Sequence, residues 1–264
     1  FWRYERPQKG RTREFYQWNI DLIGSDEVAA DAELIAVAAE FFRSVGVRPD
    51  QVKILINDRR LMDAQLSRIG IPADLKPAVL RMIDRIDKQP PDVWDANTRA
   101  LGVNPQQLVA LRSLLDNCEL WQQSEDLKAL FAGLDALGVR EYTAYEPKII
   151  RGLDYYTGTV FEARDTAGNF RAILGGGHYA NLVAEVGGSP LPGVGFAMGD
   201  VVVLLLLESL GLIPEMRAAS ETVFISVFDE SCQAASSQAA ARLRAAGFRV
   251  VAYPGAEKLA KQLK

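Results

Sequence analysis

Apolar and polar positions change period several times along the chain, and each change predicts an element. Phe1 to Arg6 alternates, Pro7 to Gly10 interrupts, and Arg13 to Ile23 alternates again, which predicts a hairpin with a long loop. From Asp26 to Val45 the period lengthens, and Val28, Ala32, Leu34, Ile35, Ala38, Phe41, Phe42 and Val45 form one apolar stripe. Ser25 is placed to cap this helix and Gly46 to end it. Val52 to Ile56 reads as a short strand. From Arg59 to about Gln122, helical spacing is broken at Gly70-Ile71-Pro72, at Pro90-Pro91 and from Gly102 to Pro105, the pattern of a small helical subdomain. Leu127 to Leu137 is one more helix, closed by Gly138. Lys148 to Phe161 and Arg171 to Leu174 return to strand character, and Val201 to Gly211 reads as a buried helix ended by Gly211 and Pro214.

Beyond Pro214 the pattern changes again. Thr222 to Phe228 is a predicted strand, Ser231 to Ala246 an Ala-rich helix stopped by Gly247, Arg249 to Tyr253 a strand, and Ala256 onward a helix. This β-α-β-α order predicts a parallel sheet. One and a half such units are too few for a stable sheet, so continuation of the chain is expected. The abrupt start inside an apparent strand raises the same expectation at the other end.

Composition narrows the class without naming a function. The 264 residues are 48% hydrophobic and 24% charged, ordinary for a soluble globular protein with a core that needs no staples. Cys118 and Cys232 fit no zinc or redox spacing and read as reduced thiols of a cytosolic protein. The longest apolar run, Val201 to Leu207, falls far short of the roughly 20 residues that span a bilayer, and no signal-peptide pattern opens the chain. A net charge of −4 argues against a broad nucleic-acid-coating surface but leaves room for a local one.

Such a local surface is present at the start. Arg3, Arg6, Lys9, Arg11 and Arg13 face only Glu5 and Glu14 before Asp21. Strand parity places Phe15, Gln17, Asn19 and Asp21 on one side, and Arg3 with Glu5 on one side of the preceding run. Large polar groups on both strands describe either a polar pocket roofed by a basic loop or a solvated edge hairpin. In the first case the arginines suit phosphate oxygens, which a guanidinium fork matches bidentately.

Three later stretches carry further candidates. "RGLDYYTGTVFE", Arg151 to Glu162, sets a cation and two tyrosines before a β-branched strand. They are either ligand-facing hydroxyls or ordinary strand aromatics. "GGGHYANL", Gly175 to Leu182, allows close backbone approach to a ligand or a neighbouring strand. His178 within it is the chain's single histidine and reads as a polar residue at a turn; a His-centred triad or metal cluster is not expected. "PGVGFAMGD" has glycine spacing like a dinucleotide loop but lacks the βαβ context, and no Walker-type run occurs.

Together these stretches resemble one family. "RYERPQKGRTREFYQ" is similar to motif 2 of class II aminoacyl-tRNA synthetases in the form found in histidyl-tRNA synthetases. "RGLDYYTGTVFE" and "GGGHYANL" resemble that family's two histidine signatures, "GVGFAMGD" stands where it has motif 3, and the tail, including "AEKLAKQLK", resembles the start of its anticodon-binding domain. The resemblance implies an α+β fold: an antiparallel sheet flanked by helices, with a helical insertion and the start of an α/β anticodon-binding domain. The implied boundaries are 1–58 and 123–214 for the catalytic core, 59–122 for the insertion and 220–264 for the anticodon domain.

The resemblance also implies an activity: condensation of L-histidine with ATP, which carries Mg²⁺, to histidyl-adenylate, then transfer to histidine tRNA. It implies a cytoplasmic homodimer with no resident metal. Arg3 is expected at the α-phosphate, Arg11 at the outer phosphates, Glu5 at the adenine or ribose end, and Phe15 stacked on adenine. Gln17 and Asp21 are expected to hold histidine, with Tyr155, Tyr156, Tyr179 and Gly177 shaping its pocket and Arg151 standing beside the carboxylate and α-phosphate. Two positions depart from the pattern: Val202 and His178 stand where the family usually has arginine. The first departure favours a second implied role, that of the family's histidine-sensing paralogue, a regulatory subunit of ATP phosphoribosyltransferase without aminoacylation activity. The β-α-β-α tail opposes that role, since the paralogue usually lacks it.

Overall fold

A computed structural model describes residues 1–4, 6–7, 10–152, 155–185, 187–214 and 222–263. The chain divides into two compact units, Phe1–Ile213 and Pro214–Lys264. The first is built on six strands: β1 (Gln17–Ile23), β2 (Val52–Asp58), β3 (Thr143–Tyr145), β4 (Thr159–Asp165), β5 (Leu174–Tyr179) and β6 (Gly193–Gly199). They are ordered β1-β6-β5-β4-β2-β3. Every neighbouring pair is antiparallel except β2–β3, which is parallel. The sheet is therefore mixed, with an antiparallel body and one parallel edge.

The period-two alternation of these strands separates two unlike faces. One carries Ile20, Leu22, Ile54, Ile56, Phe161, Leu174, Val194 and Phe196, and it packs into the main core. Helix α1 (Val28–Ser44) covers this face with Leu34, Ile35, Ala38 and Phe42, all buried. Trp18 joins the two layers, its ring 5.5 Å from Phe41 of α1 and 5.6 Å from Phe196. Each large side chain so buried contributes about 1.5–3 kcal/mol relative to exposure. The other face has few apolar groups to cover. Among the described residues Ile149, Tyr156 and Val160, flanked by Leu55 and Tyr155, form a small separate cluster there.

Between β2 and β3 run α2 (Arg59–Arg68), α3 (Lys76–Ile83), α4 (Pro91–Ala100), α5 (Pro105–Leu115) and α6 (Glu125–Ala136). Their ends follow the expected chemistry. Asp58 caps α2 by accepting from the Arg60 and Leu61 amides, Asn104 and Gln107 form a reciprocal capping box on α5, and Ser124 caps α6. Trp94 is buried among these helices, and its indole donates to the Met82 carbonyl at 2.7 Å. The first unit closes with α7 (Leu182–Glu185) and α8 (Asp200–Ser209). In the second unit β7 (Thr222–Ile225) and β8 (Arg249–Ala252) pair in parallel around α9 (Gln233–Ala245), followed by α10 (Leu259–Gln262).

Several expectations need correction. Among the described residues the opening hairpin pairs through isolated bridges, Trp2–Glu14 among them, with Arg3 N–H donating to the Arg13 carbonyl and Phe15 N–H to the Phe1 carbonyl, and the regular strand begins at Gln17 rather than Arg13. Ser25 does not cap α1. Its hydroxyl accepts from the Glu27 amide ahead of the helix, and Glu27 occupies the cap position with no side-chain bond. The described residues of the predicted run, 148–152 and 155–158, are not strand: Arg151 adopts φ 58°, which interrupts any extended run, and β4 begins only at Thr159. β5 starts where a strand was expected to end, because its glycines pack between neighbouring strands rather than forming a turn. Helix α8 is not fully buried: Val202 and Leu206 face the core while Leu204 is 56% exposed. β3 and β6 were not anticipated as strands, since neither three residues nor a glycine-rich run displays alternation.

Candidate active site

On the face of the sheet opposite α1, side chains shrink toward the centre. Gly175 and Gly177 of β5 lie opposite Ala197 and Gly195 of β6, and these lie opposite Asn19 and Asp21 of β1. On the other flank Gly175 and Gly177 face Glu162 and Val160 of β4. The result is a floor of glycine and alanine walled by polar groups. The parity that places Gln17, Asn19 and Asp21 on one side is thus realised, and that side is this floor.

The guanidinium of Arg151 occupies the space above Gly175. A Cβ on Gly175 would overlap it, so only glycine at that position leaves the arginine room. Arg151 pairs with Glu162, whose other oxygen accepts from Arg164 Nε at 2.6 Å. Its left-handed backbone is uncommon for a residue with a Cβ and marks a position held by its surroundings. The buried Nε–H of Arg151 has no partner among the described residues.

Along the same floor stand the aromatics. Tyr179 donates to Asp21 Oδ1 at 2.9 Å, and the Tyr155 ring packs 4.5 Å from Tyr156 and 6.3 Å from Tyr179. Gly177 makes room for Tyr156, since an added Cβ would come within 2.8 Å of its ring. Burial, aided by the Tyr155 hydroxyl, pushes the Tyr156 phenol well above its ordinary pKa; burial and then Asp21 do the same to Tyr179. Both remain protonated phenols across the physiological range, able to donate and to accept.

At the start of β1 lies a third group. Arg3 stands over the Phe15 ring at 5.0 Å, and Phe1 stacks on the same ring, with centroids 5.8 Å apart. Phe1, Trp2, Glu14, Phe15 and Tyr16 line an open cleft of about 430 Å³. Gly10 of the basic loop, at φ 73°, packs beside Val202 and the Arg171 stem, so the apolar Val202 serves as a seat for the loop. Arg11, half-buried, follows it. Glu5 lies outside the described residues.

The structure therefore brings Arg151, Tyr155, Tyr156, Gly177, Tyr179, Asp21 and Gln17 onto one floor, with Arg3 and Phe15 paired where that floor meets the opening segment. By register Gly175, beneath Arg151, is two strands from Asn19, about 10 Å at ordinary strand spacing. Sequence reasoning did not single out Glu162 and Arg164. The signal was available: they alternate with Phe161 and Ala163 along β4, on the side facing the floor.

His178 is the plainest correction. It is no turn residue but a buried member of β5 on the core side. Nδ1 lies 2.8 Å from Asp31 Oδ1 and Nε2 lies 2.8 Å from Asp26 Oδ1. Two ionised carboxylates can only accept, so both ring nitrogens must carry protons, and the imidazolium is the form that fits. Hydrogen bonding to Asp31, outweighing burial and assisted by Asp26, raises its pKa. A pKa raised on folding stabilises the native state fully below the unfolded value near 6.5, and that stabilisation fades as pH rises through the folded value. We expect the thermal midpoint of the chain to fall more steeply above neutral pH than that of His178→Asn. Parallel midpoint curves from pH 6 to 9 for the two proteins would reject this assignment.

Comparisons with known proteins agree on the kind of molecule that carries this site. The family model described as histidyl-tRNA synthetase matches residues 1–200. A chloroplastic/mitochondrial histidine--tRNA ligase of Arabidopsis thaliana is 36% identical over 256 residues, covering 93% of this chain and 52% of the relative. The histidine--tRNA ligase of Halobacterium salinarum is 36% identical over 264 residues, covering 92% and 59%. The chain thus spans between half and three-fifths of the length of these relatives. Among solved structures, a histidyl-tRNA synthetase from Nostoc shares the fold with a TM-score of 0.78 at 23% identity, over 95% of this chain and 64% of that one. A structure titled ATP phosphoribosyltransferase regulatory subunit/histidyl-tRNA synthetase, from Bacillus halodurans, shares it with a TM-score of 0.72 at 21% identity, over 96% and 67%.

Proposed function

Since this chain belongs to the histidyl-tRNA synthetase family, we propose that it is the adenylate-forming part of a cytoplasmic, homodimeric histidine--tRNA ligase. The observation that carries the reading is the Arg151 guanidinium, lying above a glycine floor with one buried N–H unpartnered among the described residues and a tyrosine-aspartate group on the same floor.

The proposed first step is in-line. A histidine carboxylate oxygen attacks the α-phosphorus of ATP, the bond to the β-phosphate oxygen breaks, and pyrophosphate leaves with its charge. Two anions must approach, so positive charge and alignment are the main demands. Arg3 takes the α-phosphate and Arg11 the outer phosphates of ATP carrying Mg²⁺, while Phe15 holds the adenine by stacking. Arg151 sits between carboxylate and α-phosphate and offers the charge that builds up there. Asp21 and Gln17 hold the α-ammonium side of histidine. Tyr155, Tyr156 and Tyr179 surround the imidazole, and a ligand lacking a ring N–H would leave buried hydroxyls unpaired. In the second step the ribose hydroxyl of histidine tRNA attacks the activated carbonyl and AMP leaves.

The test is histidine-dependent exchange of labelled pyrophosphate into ATP. Exchange that needs histidine supports the reading; none above background at saturating ATP rejects it. A second reading, the histidine-sensing regulator of ATP phosphoribosyltransferase, is favoured by the buried Val202, an apolar group where an ATP-gripping arginine is expected. Calorimetry separates the two: heat from histidine but none from ATP, together with altered activity of that transferase on mixing, selects the regulator.

A further inference from the structure

We propose that Arg164 is a positioning residue for Arg151, acting through Glu162 and held from outside by Asp87. The proposal rests on the adenylation reading above. Glu162 is divided between two arginines: one oxygen pairs with Arg151, and the other accepts from Arg164 Nε at 2.6 Å. Arg164 in turn reaches Asp87 Oδ2 at 3.3 Å through Nη1. Asp87 lies in the short turn 86–88 that follows α3, outside the sheet altogether. The same stretch touches the site a second time, since Asp84 Oδ2 lies 3.4 Å from where a Cβ on Gly152 would stand, next to Arg151. The helical segment is thus joined to the arginine's own loop and to its carboxylate partner.

Charge and geometry both give Arg164 a purpose. Glu162 alone would neutralise Arg151 and leave little field for an incoming anion. With Arg164 added, the three side chains carry a net +1, and the floor again attracts phosphate. Glu162 is mostly buried, so its orientation is set by these two partners rather than by water. A carboxylate gripped at one oxygen presents the other in a fixed direction, which orients the long Arg151 side chain before substrate arrives. Asp87 is largely exposed and its contact is long. It therefore anchors Arg164 more than it discharges it.

Two measurements test this on the whole chain. Arg164→Ala should lower kcat for histidine-dependent pyrophosphate exchange about tenfold, with KM for histidine and ATP within about twofold, and Arg164→Lys should recover half or more of the rate. In a Glu162→Gln background Arg164→Ala should cost nothing further, because its route of action is already cut. An unchanged rate, a loss confined to KM, or an equal loss in that background overturns the proposal. The second measurement needs no catalysis: hydrogen exchange of the Arg151 Nε–H, followed by nitrogen-15 NMR, should be at least fivefold faster in Arg164→Ala. Equal exchange in the two proteins also overturns it. Arg164→Gln, which keeps the side-chain stem, replaces the alanine variant should that fail to fold. If the unaltered chain shows no pyrophosphate exchange, the adenylation reading falls, and the NMR comparison still decides whether Arg164 holds Arg151.

Discussion

Arg151→Ala is expected to reduce histidine-dependent pyrophosphate exchange by roughly 10² to 10³, the usual loss when a charge that stabilises a developing anion is removed from a preorganised site. The fold should survive. Arg151 lies on the floor side of the sheet and takes no part in the apolar core. Its partner Glu162 keeps Arg164, so no buried carboxylate is stranded. The stability cost should then be about 1–2 kcal/mol, as for a lost charged hydrogen bond. Exchange and thermal unfolding measured on the same preparation check both halves. Normal exchange in this variant removes Arg151 from the mechanism, while an unfolded product moves it into the scaffold.

The second large effect separates two adjacent glycines. At Gly176 an added Cβ points into the core, onto the Gly195 carbonyl, 2.6 Å from Phe161 and 2.7 Å from Phe196. Neither strand can retreat, because β5 is held by its ladders to β4 and β6. Gly176→Ala should cost about 3 kcal/mol, at the upper end of overpacking, and lower the thermal midpoint by roughly 6–12 °C. At Gly175 the added methyl points to the other side and meets first the Arg151 guanidinium, the end of a flexible side chain. Gly175→Ala should melt within a few degrees of the parent and lose exchange about as deeply as Arg151→Ala. Should the two variants exchange these effects, the assignment of faces to β5 is inverted.

Much of the site was legible in local pattern. The alternation from Phe15 to Asp21 is a property of extended backbone, so the common side of Gln17 and Asp21 needed no knowledge of their neighbours. The glycine run of β5 announced close approach, though not of what. His178 was misread because nothing near it in sequence predicts Asp26 and Asp31 as partners, which lie about 150 positions away and arrive only when α1 packs across the sheet. Glu162 and Arg164 were overlooked for a similar reason: a charged pair on a strand reads as solvated until Arg151 and Asp87 are found on either side.

Periodicity and the motifs determined most of the helices, the strand character of β1 and β2, the family and many of the residues that meet on the floor, because these depend on contacts within a few positions or on recognisable runs. Tertiary structure decided which glycine faces the core and which the arginine, that His178 is a clamped cation rather than a turn residue, and that a helical segment reaches the floor through Asp87. Each of those depends on strand order and register, which are set by long-range packing and carry no local signature.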